Sequence, residues 1–191
     1  MTDMSVLIIG SGGREHALAI GLSQSPSVGT IHTAPGNAGT AILGTNHQID
    51  SMDIEGLVSL AQKISADLVV VGPEGPLVAG ISNRLREIGI PSFGPGIKGA
   101  ILEGSKTYAN DLMGKLDIPT ADSVRLDKYS DIEVFLHRNP PPWVIKRDVL
   151  AGGKGVVVTT DYTEASNFIE SAIESDGKVL LERFLPGEEA S

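Results

Sequence analysis

The stretch Val6-Leu-Ile-Ile-Gly10-Ser-Gly-Gly-Arg-Glu-His16 decides the fold class of this chain. Its apolar start predicts a short buried strand, and the glycines that follow predict a tight turn. Apolar residues then recur at helical spacing as far as Leu22. A strand, a glycine turn and a helix in this order form the repeating unit of a parallel sheet.

The same alternation continues to residue 93. Predicted strands cover 30–34, 67–71 and 90–93, and predicted helices cover 54–64 and 77–88. Strands that alternate with helices imply a parallel sheet with helices on both faces. We therefore expect residues 1–103 to form an α/β domain that binds substrate.

The pattern changes after Gly94. A helix is predicted over 105–116, followed by strands over 123–126, 143–146, 155–159 and 178–182 and helices over 131–137 and 162–175. The two strands around Gly152 and Gly153 predict a hairpin and hence antiparallel pairing. We expect residues 104–119 to be a connecting helix and residues 120–191 to be a smaller α+β lobe.

Composition and charge disfavour several classes of protein. The 191 residues carry 15 Lys plus Arg against 24 Asp plus Glu, a net charge of −9, with one Trp, three Tyr, four Phe and no Cys. Such a chain lacks the basic surface and the stacking platforms of nucleic-acid binding, and it has no disulfide or Cys nucleophile. No apolar run reaches the roughly 18 residues of a membrane helix. We expect a cytoplasmic protein with no nucleic-acid or membrane partner, a monomer being favoured.

The first glycine turn does not fit a dinucleotide fingerprint. Glu15 stands where the third glycine belongs, and the second strand ends at Ala34 in place of an acidic residue, so an NAD-dependent oxidoreductase is disfavoured. The N–H groups of the turn and the positive end of the following helix dipole instead predict an anion site. The alternative is a purely structural turn.

Two further loops follow predicted strands: Pro35-Gly36-Asn37-Ala38-Gly39-Thr40 and Gly72-Pro73-Glu74-Gly75-Pro76. Ligands bind at the carboxyl ends of the strands in an open parallel sheet, so we expect the three loops to meet there. A purely structural role for these loops stays open, because glycine is also favoured where the backbone has a positive φ and proline is also common at the first position of a helix.

The second half contains the densest signal for phosphate binding. Lys146 ends a predicted strand, a glycine-rich loop follows, and Lys154 opens the next strand. Backbone donors and two charges in such a loop suit a polyphosphate, although a mobile hairpin with solvated lysines is the alternative. Lys106 lies one residue away from P-loop spacing, and we reject that motif. It nevertheless opens a helix, where the dipole disfavours a cation, which makes it a candidate anion ligand.

The histidines are interpreted as surface or structural residues. His32, His47 and His137 have no second ligand at the spacing of a metal site.

Taken together, these segments resemble the phosphoribosylamine-glycine ligase family, also called glycinamide ribonucleotide synthetase, within the ATP-grasp enzymes of purine biosynthesis. The resemblance rests on Gly10–His16, Ala34–Thr40, Val71–Glu74, Phe93–Pro95, Leu102–Lys106, Ile118–Thr120 and Gly187–Glu189. It implies a Rossmann-like pre-ATP-grasp domain followed by an ATP-grasp lid lobe. It also implies that ATP phosphorylates glycine and that the amine of 5-phosphoribosylamine attacks the acyl phosphate.

The resemblance also implies roles for individual residues. Lys106 and Lys146 would bind the ATP phosphates. The lid loop over ATP would be Gly152, Gly153, Lys154 and Gly155; the adenine hinge Glu182, Arg183, Phe184 and Leu185; and the ribose ligand Glu189. The residues that face phosphoribosylamine would be Gly12, Gly13, Arg14, Asn37, Gly39, Pro73 and Glu74.

Three features depart from the family. The lid motif Lys-Ala-Asp-Gly-Leu-Ala-Ala-Gly-Lys-Gly is altered by Arg147, Val149 and Gly152, with Arg147 expected to pair with a phosphate or with Asp148. Gly75 stands where the family usually has Ala. The family is about twice as long, so we expect the ligands of Mg or Mn beyond residue 191, no metal site in this chain and no complete reaction by these residues alone. The alternatives are a non-catalytic ATP-binding module and another ATP-grasp ligase that uses bicarbonate or formate.

Overall fold

The structure, a computed structural model, describes residues 3–150 and 155–188. The chain divides into two compact units, Met1–Ala100 and Ile101–Ser191. Within the described ranges, every helix is too short or too polar to cross a lipid bilayer.

The first unit is built on a parallel sheet of five strands. The strands are β1 Met4–Gly10, β2 Val28–Pro35, β3 Thr45–Asn46, β4 Leu68–Val71 and β5 Ser92–Phe93, in the order β3-β2-β1-β4-β5. The helices between them are α1 Gly13–Ser23, α2 Thr40–Leu43, α3 Ile54–Lys63, α4 Glu74–Val78 and α5 Ile81–Glu87. The predicted parallel α/β sheet is confirmed.

Both faces of this sheet are covered, which explains its unbroken apolar strands. Leu7 and Ile9 of β1 pack in one cluster with Leu57 of α3, whereas Ile8 packs in a second cluster with Ala19 of α1. Side chains alternate between the faces of a strand, so a strand buried on both sides needs apolar residues at every position.

The sequence missed the short elements of this unit. The helix predicted over 77–88 is two helices, because Gly80 has a φ of 94° and breaks the run at the start of α5. Only glycine adopts this left-handed conformation without strain. The four-residue α2 and the two-residue β3 are too short for a periodic pattern to reveal.

The second unit contains an antiparallel sheet of four strands. The helix α6 Ile97–Gly104 begins in the first unit and continues into the second. The other helices of the second unit are α7 Lys106–Lys115, α8 Ile132–Arg138, which a 3-10 turn at Tyr129–Asp131 precedes, and α9 Tyr162–Asp176. The strands are β6 Ser123–Leu126, β7 Trp143–Arg147, β8 Val156–Thr159 and β9 Val179–Arg183, in the order β6-β9-β7-β8. The predicted antiparallel hairpin is β7 and β8.

One face of this sheet forms the core of the unit. Ile145 of β7 and Leu181 of β9 pack with Ile132 of α8 and Ile169 of α9. By the alternation of side chains, Lys146 and its neighbours at even positions of β7 and β9 lie on the opposite face. That face carries the charged residues of the candidate site.

Candidate functional site

The carboxyl edge of the parallel sheet carries the candidate residues of the first unit. They lie in the loops after β1, β2 and β4, or at the first residues of the helices that follow: Gly12, Gly13, Arg14, Asn37, Gly39, Pro73 and Glu74. Parallel strands direct these loops to one edge. Their role in binding stays a prediction.

Asn37 ties the loop after β2 to the loop after β1. Its Nδ2 donates to the carbonyl oxygens of Ser11 at 2.9 Å and Gly12 at 3.1 Å. Its Oδ1 accepts from the N–H groups of Gly39 at 2.8 Å and Thr40 at 3.0 Å. A single amide side chain therefore fixes the separation of two loops, so its removal would loosen both.

Glu15 changes the interpretation of the first glycine turn. Its side chain is buried, and its carboxylate accepts the N–H of Gly12 at 2.5 Å in a capping box at the start of α1. One donor of the predicted anion site is thus already bound by a carboxylate, which also complements the helix dipole. The exposed Gly13 and Arg14 are the positions at this helix start that remain available to a ligand.

Arg14 links the first loop to the loop after β4. Its guanidinium donates to the carbonyl oxygen of Gly72 at 2.5 Å from an exposed position. The cation is therefore held at the carboxyl edge, where it would face an anion.

Gly39 lies in close contact with His16. A Cβ atom at position 39 would overlap the imidazole of His16 unless that side chain moved. Glycine therefore allows the loop after β2 to approach α1 with His16 in its present position.

The second unit places Lys146 and Glu182 together on the face opposite its core. The Lys146 Nζ lies 2.6 Å from the Glu182 Oε2, between neighbouring strands β7 and β9. Beside them on β8, Val156 and Val158 are about half exposed. A charged pair next to apolar surface is the kind of lining that small-molecule sites present.

Arg147, the next residue, takes a different carboxylate from the one that the sequence suggested. Its guanidinium donates to both carboxylate oxygens of Asp176 at 2.6 Å rather than to Asp148. Hydrogen bonding to the Asp176 carboxylate raises the pKa of Arg147 further. The hydrogen bonds from Arg147 hold the pKa of Asp176 below its ordinary value. Asp176 ends α9, 29 positions away along the chain, so no local pattern predicted the pair.

Asp148 pairs with Lys178 instead. Its carboxylate is fully buried and lies 2.5 Å from the Lys178 Nζ. It also accepts hydrogen bonds from the Ser105 hydroxyl, with the Oγ at 3.1 Å, and from the Thr107 N–H at 2.9 Å. Burial alone would raise the pKa of Asp148, but the bonds from Lys178 and Thr107 outweigh burial and lower this pKa. No local pattern in the sequence predicted Ser105 or Lys178 as partners of Asp148.

The two candidate phosphate lysines lie at the base of the glycine-rich loop. The Lys106 Nζ donates to the Val149 carbonyl oxygen at 3.1 Å, and Lys146 is the second-last residue of β7, just before the loop. The loop closes where the Arg147 N–H donates to the buried Gly155 carbonyl oxygen at 2.7 Å. The other predicted ligands of this part, Gly152, Gly153, Lys154 and Glu189, lie outside the described residues.

The predicted adenine hinge follows β9. Arg183 is anchored by its N–H, which donates to the Asp122 carbonyl oxygen at 2.8 Å, and by an ion pair with the Asp122 carboxylate at 3.3 Å. Phe184 and Leu185 are exposed. A cavity of about 400 Å³ opens beside the hinge, lined among others by Phe135, Trp143, Glu182 and Phe184. This volume falls in the range of small-ligand sites.

His32 and His47 contact each other, which the sequence did not predict. The His32 Nδ1 lies 3.0 Å from the His47 Nε2, because β3 runs beside β2. Burial and the neighbouring imidazole lower the pKa of His32. Among the described residues, no group of three or more His, Asp or Glu is placed to hold a metal ion.

Two family models match the chain. The phosphoribosylglycinamide synthetase N domain matches residues 4–103, and the ATP-grasp (A) domain of phosphoribosylglycinamide synthetase matches residues 104–191. Among curated relatives, phosphoribosylamine-glycine ligase from Mycobacterium tuberculosis is 45% identical over 98% of this chain and 46% of the relative. The enzyme of that name from Streptomyces coelicolor is 47% identical over 98% of this chain and 44% of its own.

Solved structures give the same pattern. Phosphoribosylamine-glycine ligase from Thermotoga maritima matches with a TM-score of 0.76 and 32% identity, over 96% of this chain and 44% of that chain. An ADP complex of N5-carboxyaminoimidazole ribonucleotide synthetase matches with a TM-score of 0.77 at 16% identity, over 97% and 48% of the two chains, which is a likeness of fold. This chain thus spans about half the length of the curated relatives it matches.

Proposed function

The chain belongs to the phosphoribosylglycinamide synthetase family, and from that premise we propose that it supplies the phosphoribosylamine-binding and ATP-binding parts of a phosphoribosylamine-glycine ligase. The reaction is the ATP-dependent joining of glycine to 5-phosphoribosylamine through a glycyl phosphate. Its products are glycinamide ribonucleotide, ADP and phosphate. The proposed domains are 1–103 for the substrate, 104–119 as a connecting helix and 120–191 as the ATP-grasp lid.

The observation that carries the proposal is the position of Lys106 and Lys146. They come from different elements, α7 and β7, and both lie at the base of one glycine-rich loop. Ammonium groups at such a site suit the negative charge of a polyphosphate, whose oxygens accept charge-assisted hydrogen bonds. The Lys106 Nζ, 3.1 Å from the Val149 carbonyl oxygen, ties the start of α7 to this loop.

The remaining ATP ligands follow from this placement. We propose that the Lys106 and Lys146 ammonium groups bind phosphate oxygens while residues 152–155 cover them. Residues 182–185 would contact adenine, and Glu189 would bind the ribose. The exposed Val156 and Val158 would pack against the nucleotide, since apolar surface lines most nucleotide-sized pockets.

Phosphoribosylamine is proposed to bind at the carboxyl edge of the first unit. The positions are Gly12, Gly13, Arg14, Asn37, Gly39, Pro73 and Glu74. Arg14 supplies a cation for the phosphate, and Asn37 sets the separation of two loops. Glu74 supplies a carboxylate to accept hydrogen bonds from the sugar or the amine.

The chemistry explains why cations are needed. A carboxylate is a poor electrophile, and phosphorylation gives it a leaving group once the charge of the transferring phosphoryl is neutralised. A bound Mg²⁺ or Mn²⁺ would add to this neutralisation. The ammonium groups of Lys106 and Lys146 orient the phosphates for in-line transfer. We propose that this reaction takes place in the cytoplasm.

The first test measures ATP binding by the 191-residue chain through the fluorescence of Trp143, which lines the hinge cavity. We expect Lys146→Met to weaken ATP binding by about tenfold or more, the typical effect of losing a charge-assisted hydrogen bond. Lys63→Met, at an exposed end of α3, makes the same change in charge and should leave the affinity unchanged. Equal affinities for all three proteins would overturn the phosphate role.

A second assay separates the alternatives. Sustained ADP release that depends on glycine would contradict our prediction that these residues do not complete the reaction alone. ADP release with bicarbonate or formate in place of glycine would favour another ATP-grasp ligase. ATP binding without turnover under every condition is also what a non-catalytic module would give, so the parent activity is then tested in a longer protein that contains this chain.

A further inference from the structure

Asp148 lies below the proposed phosphate site without being one of its ligands. Its side chain has no exposed surface, yet it carries a carboxylate. A buried carboxylate is costly unless its oxygens are bound and its charge is paired. Here both conditions are met by the Lys178 ammonium, the Ser105 hydroxyl and the Thr107 N–H.

Two of these partners, Ser105 and Thr107, are the sequence neighbours of Lys106. Ser105 is the N-cap of α7, with its Oγ accepting the Tyr108 N–H at 3.2 Å, and Thr107 is the second residue of the helix. A carboxylate that binds both neighbours fixes the backbone that carries Lys106. Its negative charge also offsets the cost of a lysine at the positive end of a helix dipole.

The same carboxylate fixes the loop. Asp148 follows β7 directly, and the next residue, Val149, accepts the Lys106 Nζ at 3.1 Å through its carbonyl oxygen. Helix start, lysine head group and loop base therefore meet around one buried acid.

We propose that Asp148 is a positioning residue that holds Lys106 at the base of the glycine-rich loop in the geometry that receives the ATP phosphates. The inference rests on the proposed ATP-binding function and deepens it. Asp148 does not touch the nucleotide; it acts through Lys106.

The adjacent ion pair offers a matched control. Asp176 is also buried, with 7% of its side chain exposed, and it binds a cation from the end of β7 at 2.6 Å. Its partner is Arg147, and among the residues that the structure describes the Asp176 carboxylate bonds neither to Lys106 nor to the N-terminus of α7. Asp176→Asn therefore makes the same chemical change as Asp148→Asn in a similar environment.

The experiment measures the affinities of the 191-residue chain for ATP and for adenosine. We expect Asp148→Asn to weaken ATP binding about tenfold and to leave adenosine binding unchanged, because only ATP carries the phosphates that Lys106 would contact. Asp176→Asn should lower stability to urea while leaving both affinities unchanged. In a Lys106→Met background, Asp148→Asn should add no further loss, since residues that act through one contact are not additive.

The outcomes are distinguishable. If wild-type chain binds no ATP, the proposed function fails, and the inference fails with it. If it binds ATP but Asp148→Asn binds equally well, loses ATP and adenosine alike, or adds its full loss to that of Lys106→Met, only the inference is overturned. If Asp148→Asn does not fold, Ser105→Ala decides by the same criteria, because it removes one donor and keeps the charged pair; a partial loss specific to ATP is then expected.

Discussion

The Lys146 Nζ lies 2.6 Å from the Glu182 Oε2, and both side chains are largely buried between β7 and β9. The ammonium that we assign to ATP phosphate is therefore partly neutralised by a carboxylate before any nucleotide arrives. Glu182 sets the direction of Lys146 and at the same time repels an incoming anion. A substitution at Glu182 should therefore change the affinity of the site for phosphate.

Glu182→Gln should bind inorganic tripolyphosphate about threefold more tightly than wild-type chain, because a like charge near the site is removed. Isothermal titration at low salt measures the effect. Glu174→Gln, at an exposed position of α9, changes the net charge equally and should leave the affinity unchanged. Weaker tripolyphosphate binding by Glu182→Gln would mean that orientation of Lys146 outweighs repulsion.

Asp176 should stabilise the folded chain at neutral pH, and this stabilisation should be lost in acid. Arg147 lowers the pKa of Asp176 in the folded chain, so its contribution is present above the ordinary pKa of 3.8 and is lost as the pH falls through the folded value. The urea midpoint of wild-type chain should exceed that of Asp176→Asn at pH 7, and the difference should shrink below pH 3.8.

Asp127→Asn is the control for this prediction. The Asp127 carboxylate lies 4.0 Å from Arg125, and both side chains are about half exposed. Pairs of this kind contribute little, so its urea midpoint should follow wild type at every pH. A constant gap between wild type and Asp176→Asn down to the lowest pH would contradict the assignment.

The histidine pair should make the first unit sensitive to mild acid. Burial and His47 lower the pKa of His32 below its ordinary 6.5. A lowered histidine pKa means that the unfolded chain takes up protons first, so stability is full above pH 6.5 and falls as the pH drops through the folded value. Urea unfolding of wild type between pH 7.5 and 5.5 should show this decline.

His32→Gln should remove most of that slope. His137→Gln should retain it, because His137 is exposed and lies 4.0 Å from Glu133 in the second unit. If both variants show the wild-type slope, other groups cause the decline.

Asn37 should matter for both stability and binding in the first unit. Asn37→Ala removes two hydrogen bonds that join the loops after β1 and β2 and two more within the loop after β2, which should cost about 1–2 kcal/mol by urea unfolding. Loosened loops should also weaken binding of ribose 5-phosphate, a stable probe for the proposed substrate, by about fivefold or more.

The control lies at the opposite edge of the same sheet. Asp67→Ala removes the hydrogen bond from the Ser5 N–H at 2.8 Å, at the amino ends of β1 and β4. It should lower stability while leaving the affinity for ribose 5-phosphate unchanged. Equal losses of affinity in the two variants would point to general destabilisation instead of a site at the carboxyl edge.

The alternation of strands and helices was readable from the sequence because it is local. The apolar run of β1 and the helical spacing after Gly12 depend on neighbours within a few residues, and burial on both faces enforces that pattern. The hairpin of β7 and β8 and the lysines beside its loop were readable for the same reason. By contrast, the break at Gly80 was missed, since its left-handed φ of 94° leaves no mark on hydrophobic periodicity.

The sequence by itself determined the order of the elements, the family and the motifs that carry the candidate residues. Only the tertiary structure decided their partners: Glu15 takes an N–H of the glycine turn, Arg147 binds Asp176, and Asp148 binds Lys178 and the start of α7. The residues of these pairs lie between 3 and 43 positions apart in the chain. The sign of a charged side chain is known from the sequence. Which opposite charge lies within hydrogen-bonding distance of it depends on how strands and helices pack in three dimensions.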